Sequence, residues 1–202
     1  MFLSGWLYDL GLGPLMRTMR EWIAASIRDK ELYPVLDLCT GTGMMCRALK
    51  APPFQALGLD LDRRMLKYAG AMAPDIPFIQ GDAVLLPLQD GVFGSIIISY
   101  ALHEKTPDTR KAMIKEAQRV LRAGGQVYFL DFEKPWNGAS RMGRIFTYSI
   151  ERLAGGEHFQ NSQTFIKGGG LHSFLSDLGW VEVENRPFAW GNTRIVVCSP
   201  TE

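Results

Sequence analysis

The stretch Leu36–Gly43, LDLCTGTG, carries an apolar run into one acid, Asp37, and then into a loop kinked by Gly41 and Gly43. Two glycines one residue apart let a backbone take unusual dihedrals and admit close approach by a ligand. A second acid, Asp60, closes LGLD 17 residues beyond Gly43. That is near the ~20-residue offset at which a carboxylate meets ribose hydroxyls. A third acid, Asp82 in IQGDA, can accept a hydrogen bond from an exocyclic amine such as that of adenine. Each acid follows an apolar run, so three strand ends offer contacts to one extended adenosine compound.

The loop chemistry narrows the compound. A nicotinamide dinucleotide usually wants GxGxxG, whose third glycine lets helix and strand pack closely. Here GTGMMC puts Cys46 in that place, and the loop holds no positive charge for two phosphates. S-adenosylmethionine has no phosphate. Its carboxylate suits the N–H groups of the helix beginning near Gly43, and its ammonium suits Asp37. Further candidates lie downstream. His103 in YALHEK follows the fourth apolar run, where it could serve an acceptor as general base or hydrogen-bond partner, or only order its loop. Tyr100 shares that position. Tyr148 and His158 are candidates for contact with an acceptor, whereas His172 reads as structural. Three dispersed histidines without paired spacing predict no metal site. Arg141 and Arg144 read as a solvated face.

These residues need elements to hold them. The pattern predicts strands at 34–38, 56–59, 77–79, 94–99 and 125–131, with helices at 43–49, 63–71 and 107–122. Alternating strands and helices mean a parallel sheet covered on both faces, with ligands at the carboxyl ends of the strands. A helix from Pro14 brings Leu15, Met16, Met19, Trp22, Ile23 and Ile27 to one face. After Asp131 the rhythm stops. Residues 133–163 read as irregular, with scattered aromatics including Trp136, Phe146 and Phe159, and with Gly155-Gly156. A helix at 171–178 and two strands, 181–185 and 193–198, flanking a turn at Gly191-Asn192, complete the chain as a hairpin at a sheet edge.

The bulk numbers agree with one α/β domain over 1–202, with a helical cap at 1–30 and a cover over an acceptor site at 133–163. The chain has 202 residues, 47% hydrophobic and 21% charged, with a net charge of +1. Near-neutral charge argues against a nucleic-acid partner. No apolar run approaches the ~18 residues needed to span a bilayer, so no stable membrane insertion is expected. Three cysteines without a CxxC fit a reduced, cytoplasmic protein.

Four segments, VLDLCTGTG, LGLDLDRRMLKYA, IQGDAVLLPLQDGVFGSIIISYALHE and QRVLRAGGQVYFLDF, resemble in order and spacing the successive motifs of class I S-adenosylmethionine-dependent methyltransferases. The resemblance is greatest to the small-molecule group that includes menaquinone and ubiquinone C-methyltransferases, and it is strong over roughly residues 33–132. It implies a Rossmann-like three-layer sandwich whose seven-stranded, mostly parallel sheet has the order 3-2-1-4-5-7-6, with the last strand antiparallel. By position it places Asp37 near the methionine ammonium, and Cys39, Thr40, Gly41 and Gly43 at the amino-acid end. Asp60 falls on the ribose, Leu61 on adenine, and Asp82 and Ala83 at the adenine edge. Ser99, Tyr100 and Ala101 fall beside the sulfonium, with His103 and Tyr100 as catalytic candidates. Cys39 departs from the group, which often has glycine there; slight crowding without loss of binding is the expectation. The implied reaction is methyl transfer from S-adenosylmethionine to a small-molecule acceptor, releasing S-adenosylhomocysteine. A nicotinamide-dependent oxidoreductase and a non-catalytic adenosyl-cofactor binder are the alternatives. Neither the acceptor nor the oligomeric state is legible.

Overall fold

The computed structural model describes residues 16–49, 56–135, 138 and 156–200. Its strands are β1 (Val35–Leu38), β2 (Ala56–Asp60), β3 (Phe78–Gln80), β4 (Phe93–Ser99), β5 (Leu121–Phe132), β6 (Val181–Phe188) and β7 (Thr193–Ser199). They form one seven-stranded sheet of order β3-β2-β1-β4-β5-β7-β6. β2 pairs parallel with β1 and β3, β4 pairs parallel with β1, and β6 pairs antiparallel with β7. The expected fold class and strand order are those observed.

Interleaved helices are α1 (Arg17–Asp29), α2 (Met44–Ala48), α3 (Arg63–Met72), α4 (Pro107–Val120), α5 (Gly156–Lys167) and α6 (Gly170–Ser176). Among the described residues, none is long and apolar enough to cross a membrane. The helix start at Pro14, the first half of the 1–30 cap, Tyr148, Arg141, Arg144, and the cover over residues 136, 137 and 139–155 lie outside the described residues.

Contacts form two compact units, one within residues 2–98 and 111–127, the other within 99–110 and 128–202. In the first unit, β1 and all of β4 except Ser99 are buried. Their near-continuous apolar runs are those of parallel strands covered on both faces. α1 buries Met19, Ile23, Ala24 and Ile27. Asp62 caps α3, its carboxylate accepting the Arg64 N–H at 2.9 Å. Strand order reverses at β1, whose register sets Leu38 beside Leu59 of β2 on one side and Ile98 of β4 on the other. This is the switch point at which open α/β sheets bind ligands.

The second unit buries Tyr128, Phe129 and Leu130 of β5, Ile195–Cys198 of β7, Leu171 and Leu175 of α6, and Phe165 and Ile166 of α5. The edge of Trp180 meets the Phe129 ring at 5.9 Å.

Two stretches differ from expectation. Helix α4 stops at Val120 rather than 122, and β5 runs through Ala123-Gly124-Gly125. The carbonyls of Arg119 and Val120 are taken by the N–H groups of Gly91 and Val92, at 3.0 and 2.9 Å. That pairing turns the chain into a strand before the glycines can end a helix. Residues 156–163, read as irregular, are the first two turns of α5. Its polar run QNSQT hides a short buried stripe of Ser162, Phe165 and Ile166. Only tertiary contacts reveal that stripe. The Arg110 guanidinium lies 4.6 Å over the Phe165 ring, and the Asn161 side chain donates to the Glu104 carbonyl at 3.0 Å.

Candidate cofactor site and a buried histidine pair

β1 delivers Asp37 into a fully buried position at its carboxyl end. The chain turns at once. The Thr40 N–H donates to the Leu59 carbonyl at 2.9 Å, and the Thr40 hydroxyl donates to Asp37 Oδ2 at 2.5 Å. The Cys46 thiol of α2 donates to the same oxygen at 3.5 Å. Asp37 Oδ1 is buried with no partner. Burial raises the Asp37 carboxyl to about 6 from an ordinary 3.8, with Asp60 adding to the rise and the Thr40 and Cys46 bonds opposing it. An orphaned buried carboxylate oxygen is costly unless a cation meets it. Cys46, noted in the sequence only as a missing glycine, therefore belongs to the carboxylate's surroundings.

The loop's glycines divide their labour. Gly41 has φ +55, and a Cβ there would meet nothing within 4 Å, so its face is open. Gly43 has φ +73, but a Cβ there would come within 2.9 Å of the Phe78 ring and 3.0 Å of Ala69. Gly41 fits the expected close approach of a ligand, while Gly43 lets the turn pack on α3 and β3. Cys39 takes φ +61 without being glycine. A residue with a Cβ in this conformation carries left-handed backbone strain, of order 1–2 kcal/mol.

Asp60 ends β2 beside this loop. Its Oδ2 accepts the Gly41 N–H at 2.7 Å and its Oδ1 accepts the Asp62 N–H at 2.9 Å. Each oxygen keeps a further lone pair for an outside donor. Leu61, next in the chain, is 65% exposed although apolar. The Gly81 N–H donates to the Asp60 carbonyl at 3.0 Å, so the end of β3 is tied to the end of β2. Asp82 is exposed, with Oδ1 accepting the Val84 N–H at 3.1 Å, and Ala83 is buried. The structure therefore gathers Asp37, Thr40, Gly41, Asp60, Leu61 and Asp82 along three neighbouring strand ends. These residues fit S-adenosylmethionine: an orphaned carboxylate oxygen for an ammonium, an open glycine face, and a carboxylate with lone pairs left for hydroxyls.

In the second unit, Ser99 ends β4 and Tyr100 follows it. Tyr100 has φ +51, its ring meets Phe132 edge-on at 5.4 Å, and its hydroxyl donates to Thr193 Oγ1 at 3.3 Å. His103 is buried, with Nδ1 2.7 Å from Asp131 Oδ1. His158 is half-exposed on α5 and 3.2 Å from Glu104. It borders an open polar hollow of about 240 Å³ that also involves Glu104, Thr109 and Asn161. His172 pairs with Glu182 at 3.3 Å on the surface, in keeping with a structural role. Asp131 and Arg110 carry no local sequence signal for the parts they play here. The motif LDF marked Asp131 as a strand end, but nothing local pairs it with a histidine 28 residues earlier. Arg110 is buried, its Nε donating to the Leu102 carbonyl at 2.7 Å.

Comparison with known proteins sets this geometry in a family. Residues 35–125 match the family model described as "Methyltransferase domain". An uncharacterized methyltransferase of Synechocystis is 36% identical over 162 residues, covering 80% of this chain and 73% of that protein. The demethylmenaquinone methyltransferase of Thermotoga maritima is 34% identical over 134 residues, 65% of this chain; the chain spans only 57% of that enzyme's length. Among solved structures, a SAM-dependent methyltransferase from Aquifex aeolicus shares the fold with a TM-score of 0.66 over 98% of both chains, at 16% identity. The matched domain, the extent of the Synechocystis relative and the seven-stranded topology together establish that the chain belongs to the class I S-adenosylmethionine-dependent methyltransferases.

Proposed function

We propose that this chain transfers a methyl group from S-adenosylmethionine to a small apolar or aromatic acceptor, with a hydroxylated ring such as a reduced quinone as the favoured class. The observation that carries the cofactor half is the buried, unpartnered Oδ1 of Asp37 beside the open face of Gly41. In this reading Asp37 takes the ammonium, Asp60 the ribose hydroxyls, Leu61 one face of adenine, and Asp82 with Ala83 its edge. The cofactor supplies an activated methyl on a sulfonium, already electrophilic. The protein's work is then to align groups and exclude water. Thr40 and Cys46 hold the Asp37 carboxylate in place, and Asp60 holds the glycine loop through the Gly41 N–H.

The acceptor class rests on the names of the relatives, several of which are demethylmenaquinone methyltransferases, and on the aromatic cluster of Tyr100, His103 and Phe132. Tyr100 and His103 are the candidates for acceptor contact, with His158 a second possibility on the neighbouring helix. The test is methyl transfer from labelled S-adenosylmethionine to demethylmenaquinone or a short-chain demethylated naphthoquinol, followed by mass spectrometry of the product. A mass gain of one methyl supports the reading. Cofactor binding with no transfer to any hydroxylated ring would remove the acceptor half and leave a binder.

A further inference from the structure

The two oxygens of the Asp37 carboxylate have unequal surroundings, and Cys46 helps to make them so. Oδ2 accepts the Thr40 hydroxyl at 2.5 Å and lies 3.5 Å from the Cys46 Sγ. The Thr40 hydroxyl has one hydrogen, and that bond uses it. Across the 3.6 Å contact between Thr40 and Cys46 the thiol is therefore the donor as well. Both acceptors open to the thiol lie on the Oδ2 side, while Oδ1 is buried with no partner. Cys46 is itself buried. Burial first, and then the charge of Asp37, push its thiol well above the ordinary range, so it stays protonated and donates. Burial drives Asp37 towards its neutral form, and Asp60 of β2 pushes the same way. The Thr40 hydroxyl, the Cys46 thiol and the Cys46 backbone N–H oppose both. The titratable groups set against Asp37 among the described residues are thus Asp60 of β2 and the Cys46 thiol of α2. A neutral carboxyl meets an ammonium poorly; an ionised one meets it with a bare oxygen.

We propose that Cys46 is a positioning residue of the cofactor site: with Thr40 it takes Oδ2, keeps the Asp37 carboxyl ionised and leaves Oδ1 bare for the α-ammonium of the ligand. The proposal rests on the S-adenosylmethionine reading above. No covalent bond changes. The ammonium N–H donates to Oδ1, and the proton that a neutral carboxyl would carry competes with it. The thiol weakens that competitor. Recognition of the amino group therefore strengthens as pH rises through the window of Asp37, around 6, and is lost below it, where the carboxyl is neutral. In GTGMMC the residue in the third-glycine place thus serves to read an amino acid rather than to let a helix and a strand pack closely.

The test uses the full chain as wild type, Cys46→Ala and Cys46→Ser, with calorimetry from about pH 5 to about pH 8. Two probes are titrated: S-adenosylhomocysteine, and its deaminated analogue, in which hydrogen replaces the α-amino group. The ratio of their affinities isolates the amino group, because everything else in the two ligands is shared. In the wild type the preference for S-adenosylhomocysteine should rise with pH. In Cys46→Ala the rise should be displaced to higher pH, so that the preference on the acid side falls about threefold to tenfold and the curves converge at the alkaline end. Cys46→Ser, whose hydroxyl can still donate to Oδ2, should restore most of it. Superimposed curves for wild type and Cys46→Ala would overturn the proposal. So would an equal loss of both ligands at every pH, which would mark Cys46 as packing alone. A readout on the wild type itself is the infrared S–H stretch, taken as the difference from Cys46→Ser. It should show a hydrogen-bonded thiol; an S–H without a partner, or a thiolate, overturns the assignment even if Cys46→Ala does not fold. A folded wild type that binds S-adenosylhomocysteine at no pH would instead defeat the cofactor reading on which the proposal rests.

Discussion

Replacing Asp37 with asparagine should remove a pH-dependent loss of stability from the ligand-free protein while destroying its cofactor site. Asp37 is fully buried, and its carboxyl is raised to about 6 from 3.8, chiefly by burial. The folded state therefore binds the proton more tightly than the unfolded state does. Linkage then makes stability fall as pH rises from the unfolded value through the folded one. Across the whole window this amounts to about 3 kcal/mol, at 1.36 kcal/mol per unit. Roughly half of it, about 1.4 kcal/mol, falls between about pH 5 and about pH 8. Asparagine does not ionise, so the variant lacks this loss. Any fixed cost of the amide, such as a buried N–H where Oδ1 stood, shifts its whole curve without changing the slope. The assay is the melting temperature of ligand-free wild type and Asp37→Asn across that range. For a chain of this length 1 kcal/mol shifts Tm by about 2–4 °C, so the wild type should lose about 3–6 °C more than the variant on going to the higher pH. Parallel curves would refute the reasoning, because Asp37 would then not be a desolvated charge awaiting a cation. Saturation with S-adenosylhomocysteine, which retains the amino group, should flatten the wild-type difference and leave the variant unmoved.

Other perturbations separate the roles of neighbouring residues. Asp60→Ala removes the acceptor of the Gly41 and Asp62 N–H groups. Calorimetry should show cofactor affinity weakened at least about tenfold, since charge-assisted hydrogen bonds contribute roughly 1.5–3 kcal/mol each. Gly43→Ala should destabilise more than Gly41→Ala in urea unfolding. Both strain a left-handed backbone, but only the Gly43 site adds a clash with Phe78 and Ala69, of roughly 1–3 kcal/mol; Gly41→Ala should instead impair cofactor binding. Arg110→Ala strips the Leu102 carbonyl of a charged donor and uncovers Phe165, and should cost roughly 2–3 kcal/mol in the same assay.

The sequence made the sheet and the cofactor loop legible because both rest on local signals. Apolar runs of strand length lead to Asp37, Asp60 and Asp82, and helical patterns before, between and after them mark α1, α3 and α4 within a few residues. What stayed hidden depends on long-range partners. α5 has a buried stripe of only Ser162, Phe165 and Ile166, made helical by packing on Arg110 and the loop at Glu104. Asp131 reads as an ordinary strand end until folding brings it against His103. The strain at Cys39 and Tyr100 is a backbone property that neither residue type announces. The two glycines of the loop looked equivalent in sequence; only the position of Phe78 distinguishes them.

The central claim is that the ends of β1, β2 and β3 form an S-adenosylmethionine site built on Asp37 and Asp60. Isothermal titration of the purified chain with S-adenosylhomocysteine, repeated on Asp60→Ala and matched against NADH, tests it most directly. A site of this kind gives saturable, single-site heat with S-adenosylhomocysteine, at least about tenfold weaker binding in the variant, and no comparable binding of NADH. A folded wild-type protein that gives no heat with S-adenosylhomocysteine, or that binds NADH more tightly, would contradict it.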